Sequence, residues 1–421
     1  MRTLLHLLAT GVLAMSANVA GAAASFTCEG IIYNITGDTT CEVGRQTPAE
    51  ISGIVILPSN VSAEDGKTYV LTSVSNFAFV TCSALTEVTI PETVVTVGNS
   101  SFSKCSSLKV VRFSGAPASV GSNCFSESNS IVEVYTPGLD SWISTDFKDA
   151  SANPLNYGAE LLDNTGRPVD CSLIPEGTKR IGNYSLSGMK TLESVTLPEG
   201  LEEIGIGAFS GSPVRNVNIP SLAEWARITF GNYTANPLYS GKALLVQNGQ
   251  EIRNLDIPAG VATINNYAFM NYLAAESITL PASVTSVGTQ AFSGCTSVKT
   301  LSLGECVETI GMNAFQKIDF TSVKSFAVNP PQLARNAFSE TTYSKAELTV
   351  PKGSLESYKS AYLWKKFLNI SESGTTGIES LTGDSDQPAV YYDLSGRRVV
   401  NPTSGIYILR QGPRTTKILL K

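Results

Sequence analysis

Histidine is almost missing from this sequence: the only one is His6, inside an N-terminal stretch that reads as an export leader. There Arg2 supplies a basic start, Leu4 to Met15 are mostly apolar, and small residues crowd Ala20 to Ser25. Cleavage after Ala24 satisfies the small-x-small rule through Ala22 and Ala24. A mature chain beginning at Ser25 then has no imidazole, which excludes Ser-His-Asp and Cys-His nucleophilic sites and every His-ligated metal site. Basic excess is missing too. Once Arg2 goes with the leader, 29 basic residues face 36 acidic ones, so no basic stripe for a nucleic acid is expected. Long apolar runs are also missing: the leader's run is too short for a membrane span, and nothing later approaches the ~20 residues one requires. Cys28, preceded by Ser25, Phe26 and Thr27, does not resemble a lipoprotein acylation site, so no acyl anchor is expected there. These absences describe an exported protein, secreted or held at a cell surface without a transmembrane segment.

What is present is a repeat. From Leu280 to Phe315 the pair Val287-Gly288 returns as Ile310-Gly311, and Ala291-Phe292 as Ala314-Phe315, after 23 residues. Phe79, Phe102 and Phe125 keep the same step, and Leu85, Val88 and Ile90 return as Leu108, Val111 and Phe113, then as Ile131, Val134 and Thr136. A fixed period of this length marks a solenoid, because one unit cannot bury its own apolar face and must stack on a copy of itself. The spacing LxxVxI predicts a short strand whose first, fourth and sixth residues point inward. Prolines such as Pro91, Pro198 and Pro281 end these strands, since proline cannot donate to a ladder. Gly98, Gly121, Gly182, Gly205, Gly288 and Gly311 form a second column in which Asn265 once replaces glycine. Asparagine also tolerates positive φ, so the column predicts a left-handed turn.

Along the chain, residues 1–24 are the leader, and 25–58 a β-hairpin cap followed by the first repeat strand. Residues 59–350 are the solenoid, with insertions near 138–170 and 221–253. The insertions repeat each other over 83 residues: Trp142, Asn153, Pro154, Leu155, Leu161, Leu162 and Gly166 match Trp225, Asn236, Pro237, Leu238, Leu244, Leu245 and Gly249 without a gap. Each predicts an excursion on one side of the solenoid, made of a short helix carrying the tryptophan, an Asn-Pro-Leu turn and a hairpin, the second through Asn248-Gly249. The tryptophans are expected to bury as docking anchors. Residues 351–371 predict a C-terminal cap helix with Leu355, Tyr358, Tyr362 and Phe367 on one face, 372–389 a linker, and 390–421 a small β-rich tail.

The chemistry-bearing groups mostly dissolve into the repeat. Cys82, Cys105 and Cys295 share one column with Ser128, Met189, Ser212 and Tyr272, which reads as interior filler. Adjacent rungs lie ~4.8 Å apart, but parallel Cβ vectors suit a disulfide poorly, so buried thiols are expected there. Pairing of Cys28 with Cys41 stays open. The acidic pairs Glu202-Glu203 and Glu305…Glu308 fall in exposed turns, and GIGAFSG (205–211) lacks the spacing and following helix of a phosphate loop. Asp384 and Asp386 form an isolated DxD in the linker, only weakly suggestive of calcium. No cofactor, metal or catalytic residue is expected. The remaining candidate surface is the outward side of the strands, read from their third and fifth positions. Its side chains are Glu87, Thr89, Arg112, Glu133, Tyr135, Thr196, Asn216, Asn218, Asn254, Asp256, Thr279 and Ser302. This surface is polar, nearly neutral and almost without aromatics, and the alternative is a solvated sheet with any binding carried by the two insertions.

The units LTEVTIPETVVTVGNSSFSKC and ITLPASVTSVGTQAFSGC, the W…NPL insertions and the ending VPKGSLESYKSAYLWKKFLNI resemble the BspA-like, Treponema-type leucine-rich repeats of surface proteins in Bacteroidetes and related bacteria. The resemblance covers roughly residues 26–370. The tail, YDLSGRRV followed by GIYI, resembles a shortened type IX secretion sorting signal. The resemblance implies an α/β repeat fold: a right-handed leucine-rich-repeat solenoid with a concave parallel β-sheet, an N-terminal β-hairpin cap and a C-terminal helical cap. It also implies adhesion, with a protein or glycan on a host or neighbouring cell surface as partner. The function expected is a non-enzymatic adhesin or macromolecule-binding scaffold. The alternatives are a glycan-binding surface protein, a structural spacer and, last, a carboxylate-dependent glycoside hydrolase.

Overall fold

The computed structural model describes residues 24–373, 390–393, 397–400, 402–411 and 414–420. The body of the leader, most of the 372–389 linker and its DxD pair lie outside the described residues.

Each repeat makes three hydrogen-bonded contacts with the next. The first is the LxxVxI strand. In Ala84–Ile90, alternation puts Val88 and Ile90 in the core and a register shift after Leu85 puts Leu85 there too, and the strand pairs in parallel with Ser52–Ile56 on one side and Val110–Phe113 on the other. The second is a two-residue strand such as Thr96–Val97, parallel to Ser119–Val120, whose valines are buried. The third is the turn around the phenylalanine column, where Phe79 N–H donates to Ser101 O at 2.7 Å and Phe102 N–H to Cys124 O at 2.9 Å. Stacked neighbours in that column have ring centroids 5.1–5.5 Å apart, near parallel, from Phe79 to Phe125 and again from Phe269 to Phe338. Equal rungs place equal rings above one another, so the core is one continuous cluster running the length of the solenoid.

The glycine column has a different cause from the one expected. Gly98, Gly121, Gly205, Gly288 and Gly311 do not have positive φ. A Cβ on Gly98 would sit 2.5 Å from Asn76 N, and one on Gly288 2.6 Å from Asn266 N. Glycine is needed because successive rungs touch backbone to backbone at this corner. The left-handed residues come two positions later, at Ser100, Asn123, Gln290 and Asn313, just before the Ala-Phe pair or its equivalent. Between these positions the side chain of an asparagine accepts the next rung's N–H: Asn76 Oδ1 from Asn99, and Asn266 Oδ1 from Thr289, each at 2.7 Å.

The insertions are whole rungs, not side excursions. Helix α1 (Leu139–Ser144) leads into Asp146–Phe147, which joins the ladder of short strands, and Glu160–Asp163 then joins the LxxVxI ladder. Helix α2 (Leu222–Arg227) leads in the same way to Thr229–Phe230 and Leu244–Gln247. As expected, both tryptophans are buried, and their indoles donate to the following rung, Trp142 to Ser185 O at 2.6 Å and Trp225 to Ala268 O at 2.8 Å. The sequence register between the copies breaks at one strand. Leu161 stands opposite Val134 in the first copy, but Leu245, not Leu244, stands opposite Val217 in the second. The hairpins that follow interrupt pairing, so the expected single parallel sheet is in three pieces: five strands, four strands including the hairpin return, and six strands.

At the N-terminal end Ser25–Cys28, Ile31–Ile35 and Thr40–Val43 form an antiparallel meander, one strand more than the expected hairpin, and the last strand pairs in parallel with Thr68–Val74. At the other end the expected single helix is broken. Helix Leu355–Ser360 stops, Leu363 takes a positive φ, and a short turn Trp364–Lys366 leads to strand Asn369–Glu372, which extends the ladder. Tyr358, Trp364 and Phe367 are buried, whereas Tyr362 is 74% exposed, so Trp364 takes the anchoring role expected of Tyr362. Its indole donates to Pro331 O at 2.6 Å. In the tail, Val390–Tyr392, Arg398–Val399, Gly405–Gln411 and Arg414–Leu420 pair as a small antiparallel sheet.

Candidate functional site

The LxxVxI strands present every candidate side chain on their outward side, because residues flanking a buried position in a strand must face away from it. Register sorts them into two columns. In the first sheet piece Ile54, Glu87, Val110, Glu133 and Glu160 form one column, and Ile56, Thr89, Arg112, Tyr135 and Leu162 the other. In the second piece Ser194 and Asn216 lead to Leu244, while Thr196 and Asn218 lead to Val246. In the third, Asn254 aligns with Ser277 and Thr300, and Asp256 with Thr279, Ser302 and Lys324. The candidate residues therefore lie on one side of the ladder but in three separate groups.

Only the first group is an interlocked cluster. Arg112 Nε donates to Glu87 Oε1 at 2.6 Å, its guanidinium lies 3.5 Å from the centre of the Tyr135 ring, and the Tyr135 hydroxyl donates to Glu133 Oε2 at 2.9 Å. Burial works to lower the Arg112 guanidinium, but its bonds to Glu87 and Tyr135 outweigh that and hold it above its ordinary value. One face of the Tyr135 ring is thus occupied by a fixed cation. Two residues that the sequence reading left out complete the cluster's surroundings: Ile54 and Ile56, 62% and 70% exposed, stand on the adjacent strand opposite Glu87 and Thr89. Their signal was in the sequence, since ISGIVILP has apolar residues at both inward and outward positions. The second and third groups are looser, with Asn218 Nδ2 reaching Thr196 Oγ1 at 3.2 Å and Ser277 Oγ reaching Asn254 Oδ1 at 2.8 Å.

The remaining chemistry-bearing residues serve the fold. All eight cysteines are free. Cys28 stands opposite Ile31 and Cys41 opposite Ile35, about four residues or ~13 Å apart along the middle strand, too far for a disulfide. The thiol column has a role beyond filling: Cys105 Sγ donates to Phe79 O at 3.1 Å and Cys295 Sγ to Phe269 O at 3.0 Å, as Ser128 Oγ does to Phe102 O at 2.6 Å. Burial pushes the Cys105 and Cys295 thiols up to about 12, far from the low values of nucleophilic cysteines. Glu203 is bound by Arg180 at 3.0 Å and Glu202 lies 3.5 Å from Lys179, so this acidic pair is divided between two surface ion pairs. Among the described residues no group of acidic or cysteine side chains is placed to hold a metal ion, and no helix is long and apolar enough to cross a membrane.

Parallel ladders of short strands, few helices and a stacked phenylalanine column define the class of leucine-rich-repeat proteins. Within that class the BspA type leucine rich repeat region matches in six copies, over residues 67–152, 168–235 and 246–367, and the chain belongs to that family. Among solved structures it is similar to a leucine rich cell surface protein from Faecalibacterium prausnitzii, with 19% identity over 85% of this chain and 97% of that one, at a TM-score of 0.45. A leucine-rich repeat protein from Bacteroides ovatus shares 19% identity over 83% of this chain and 99% of that one, at a TM-score of 0.40. The pneumococcal vaccine antigen PcpA shares 13% identity over 84% of this chain and 100% of that one, at a TM-score of 0.37. No curated protein matches the chain. The family suggests a binding or scaffold role, and no catalytic family is indicated.

Proposed function

We propose that the protein is a non-enzymatic adhesin of a bacterial cell surface, exported through residues 1–24 and sorted by its 390–421 tail. In this reading the solenoid is right-handed and capped at both ends, and its LxxVxI side is concave and docks a protein partner such as a host matrix protein. The observation that carries the reading is the Glu87–Arg112–Tyr135–Glu133 cluster beside exposed Ile54 and Ile56. Tyrosine and arginine beside apolar residues are the composition of an interface core. Here the two are already locked together, so little side-chain entropy is lost on docking. Two exposed isoleucines side by side on one strand form an apolar patch that a partner would cover.

The test is surface plasmon resonance of the mature chain over immobilised matrix proteins, with Tyr135→Ala and Ile56→Asp as variants. Hot-spot losses of ~2 kcal/mol or more correspond to at least about a 30-fold rise in Kd. Saturable binding that both variants leave unchanged would sink this reading, and an absence of binding to any matrix or cell-surface protein would leave the spacer.

A further inference from the structure

The two inserted rungs are copies of one another, so their differences separate what each surface does from what the fold requires. The shared residues Trp142/Trp225, Asn153/Asn236 and Leu155/Leu238 are buried in both. Outside them the copies part company. Where the first has Ala150, Asn156 and Lys190, the second has Tyr233, Tyr239 and Leu273. The two tyrosines are 46% and 41% exposed, with ring centroids 5.6 Å apart and planes tilted by 55°. Leu273 is also exposed and lies against Gly241, where a Cβ would come within 3.3 Å of its Cδ1.

The backbone under this pair is fixed. Asn232 Oδ1 accepts the Ala235 N–H at 2.9 Å, and Asn271 Nδ2 donates to Tyr239 O at 2.8 Å. Tyr157 of the first copy, by contrast, turns its hydroxyl to Ser151 O at 3.3 Å, and the second copy has Ser240 in that place. Charge divides the copies as well. Residues 204–214, 228–241 and 264–275, on three successive rungs, contain no charged side chain. The corresponding stretch of the first insertion holds Asp146, Lys148 and Asp149.

We propose that Tyr233 and Tyr239, with Leu273 beside them, form a platform for a neutral glycan chain on the phenylalanine-column wall of the second inserted rung. Exposed tyrosines offer an apolar ring for the C–H face of a pyranose and a hydroxyl for its polar edge. The three stretches themselves offer an acidic polymer no cation, the nearest along the chain being exposed Lys242 just past Gly241, and a partner selected by charge finds little complement. Neutral hydroxyl-rich chains need neither. The platform is separate from the Tyr135 cluster and does not depend on its role.

Affinity electrophoresis of the whole protein through gels containing xylan, mannan or mixed-linkage β-glucan tests the proposal, with polygalacturonate as the anionic contrast. The variants are Tyr233→Ala and Tyr239→Asn, singly and together. Both introduce the residue that the first copy already carries, and thermal denaturation checks that the fold is kept. The expected result is retardation by at least one neutral polymer, weakened at least about tenfold in the double variant and unchanged in Tyr135→Ala. Retardation by the anionic polymer alone, no retardation by any neutral one, or equal binding by the double variant overturns it. Loss of a protein ligand in the double variant, without glycan binding by the parent, reassigns the patch as a protein interface.

Discussion

At the scale of single residues, the core and the outward positions of a repeat carry opposite costs. Phe292 is fully buried between Phe269 and Phe315, with centroids at 5.1 and 5.4 Å. Phe292→Ala removes both ring contacts and leaves a cavity that the rigid rungs above and below cannot collapse, so it should cost about 3–5 kcal/mol. Thr279 is exposed on the outward side, and Thr279→Arg should stay within about 0.5 kcal/mol. Chemical denaturation of the two variants checks this, and a larger loss at Thr279 would mean the faces are reversed. Inward and outward positions were legible from the LxxVxI spacing, in which the fourth and sixth residues alternate and the first faces inward across an irregularity of register. The glycine column was not, because a repeated glycine serves positive φ or close approach equally well, and Asn265 tilted the reading towards φ. In the structure Asn265 instead donates its side-chain amide to Arg227 O at 2.7 Å, reaching back to the preceding rung.

At the scale of elements, the inserted rungs replace a repeat turn by a helix and hold it with one indole. Trp225 Nε1 and Asn236 Nδ2 both donate to Ala268 O, at 2.8 and 3.0 Å. Trp225→Ala should therefore cost about 3–5 kcal/mol through lost volume. Trp225→Phe should cost clearly less, because Asn236 still serves the carbonyl and leaves it satisfied. Equal losses in the two variants, measured by urea unfolding, would show that the indole bond and not the packing holds α2 in place. The existence, helix and anchor of these rungs were legible from Trp, Asn-Pro-Leu and the 83-residue step. The slip of one residue at Leu244-Leu245 was not, since two adjacent leucines satisfy either register and only pairing with Val217 decides between them. The outward cluster was legible as positions but not as a cluster, because Arg112 and Tyr135 meet only when rungs stack. The exposed tyrosine pair was legible only as part of the insertions, the rival binding surface, because nothing in the sequence shows that Tyr233 and Tyr239 meet at the surface.

At the scale of the whole molecule, one apolar core threads every rung, and its buried thiols tie stability to alkaline pH. Burial raises Cys41 and Cys82 from 9.0 to about 11, and Cys105 and Cys295 from 9.0 to about 12. The folded chain thus keeps protons that the unfolded chain releases above about 9. Stability is fully present below that value and is lost as pH rises towards the folded values, because the unfolded state then binds fewer protons. The melting temperature should accordingly be flat from neutrality to about pH 9 and fall steeply from there to about pH 11. Burial also raises Tyr157, Tyr272, Tyr343 and Tyr358 from 10.0 to about 12, which adds a loss of the same sign at alkaline pH, so the decisive comparison is a Cys105→Ser, Cys295→Ser variant. Serine already occupies this column at Ser128 and donates to Phe102 O as the thiols do to their own carbonyls, so the fold should tolerate the change, and a hydroxyl does not ionise in this range. The variant should match the parent's melting temperature near neutrality within a few degrees and lose visibly less by about pH 11. Identical alkaline slopes would mean that these thiols are solvated in the folded protein, and that the rungs around the phenylalanine column are not packed as tightly as the stacked rings require.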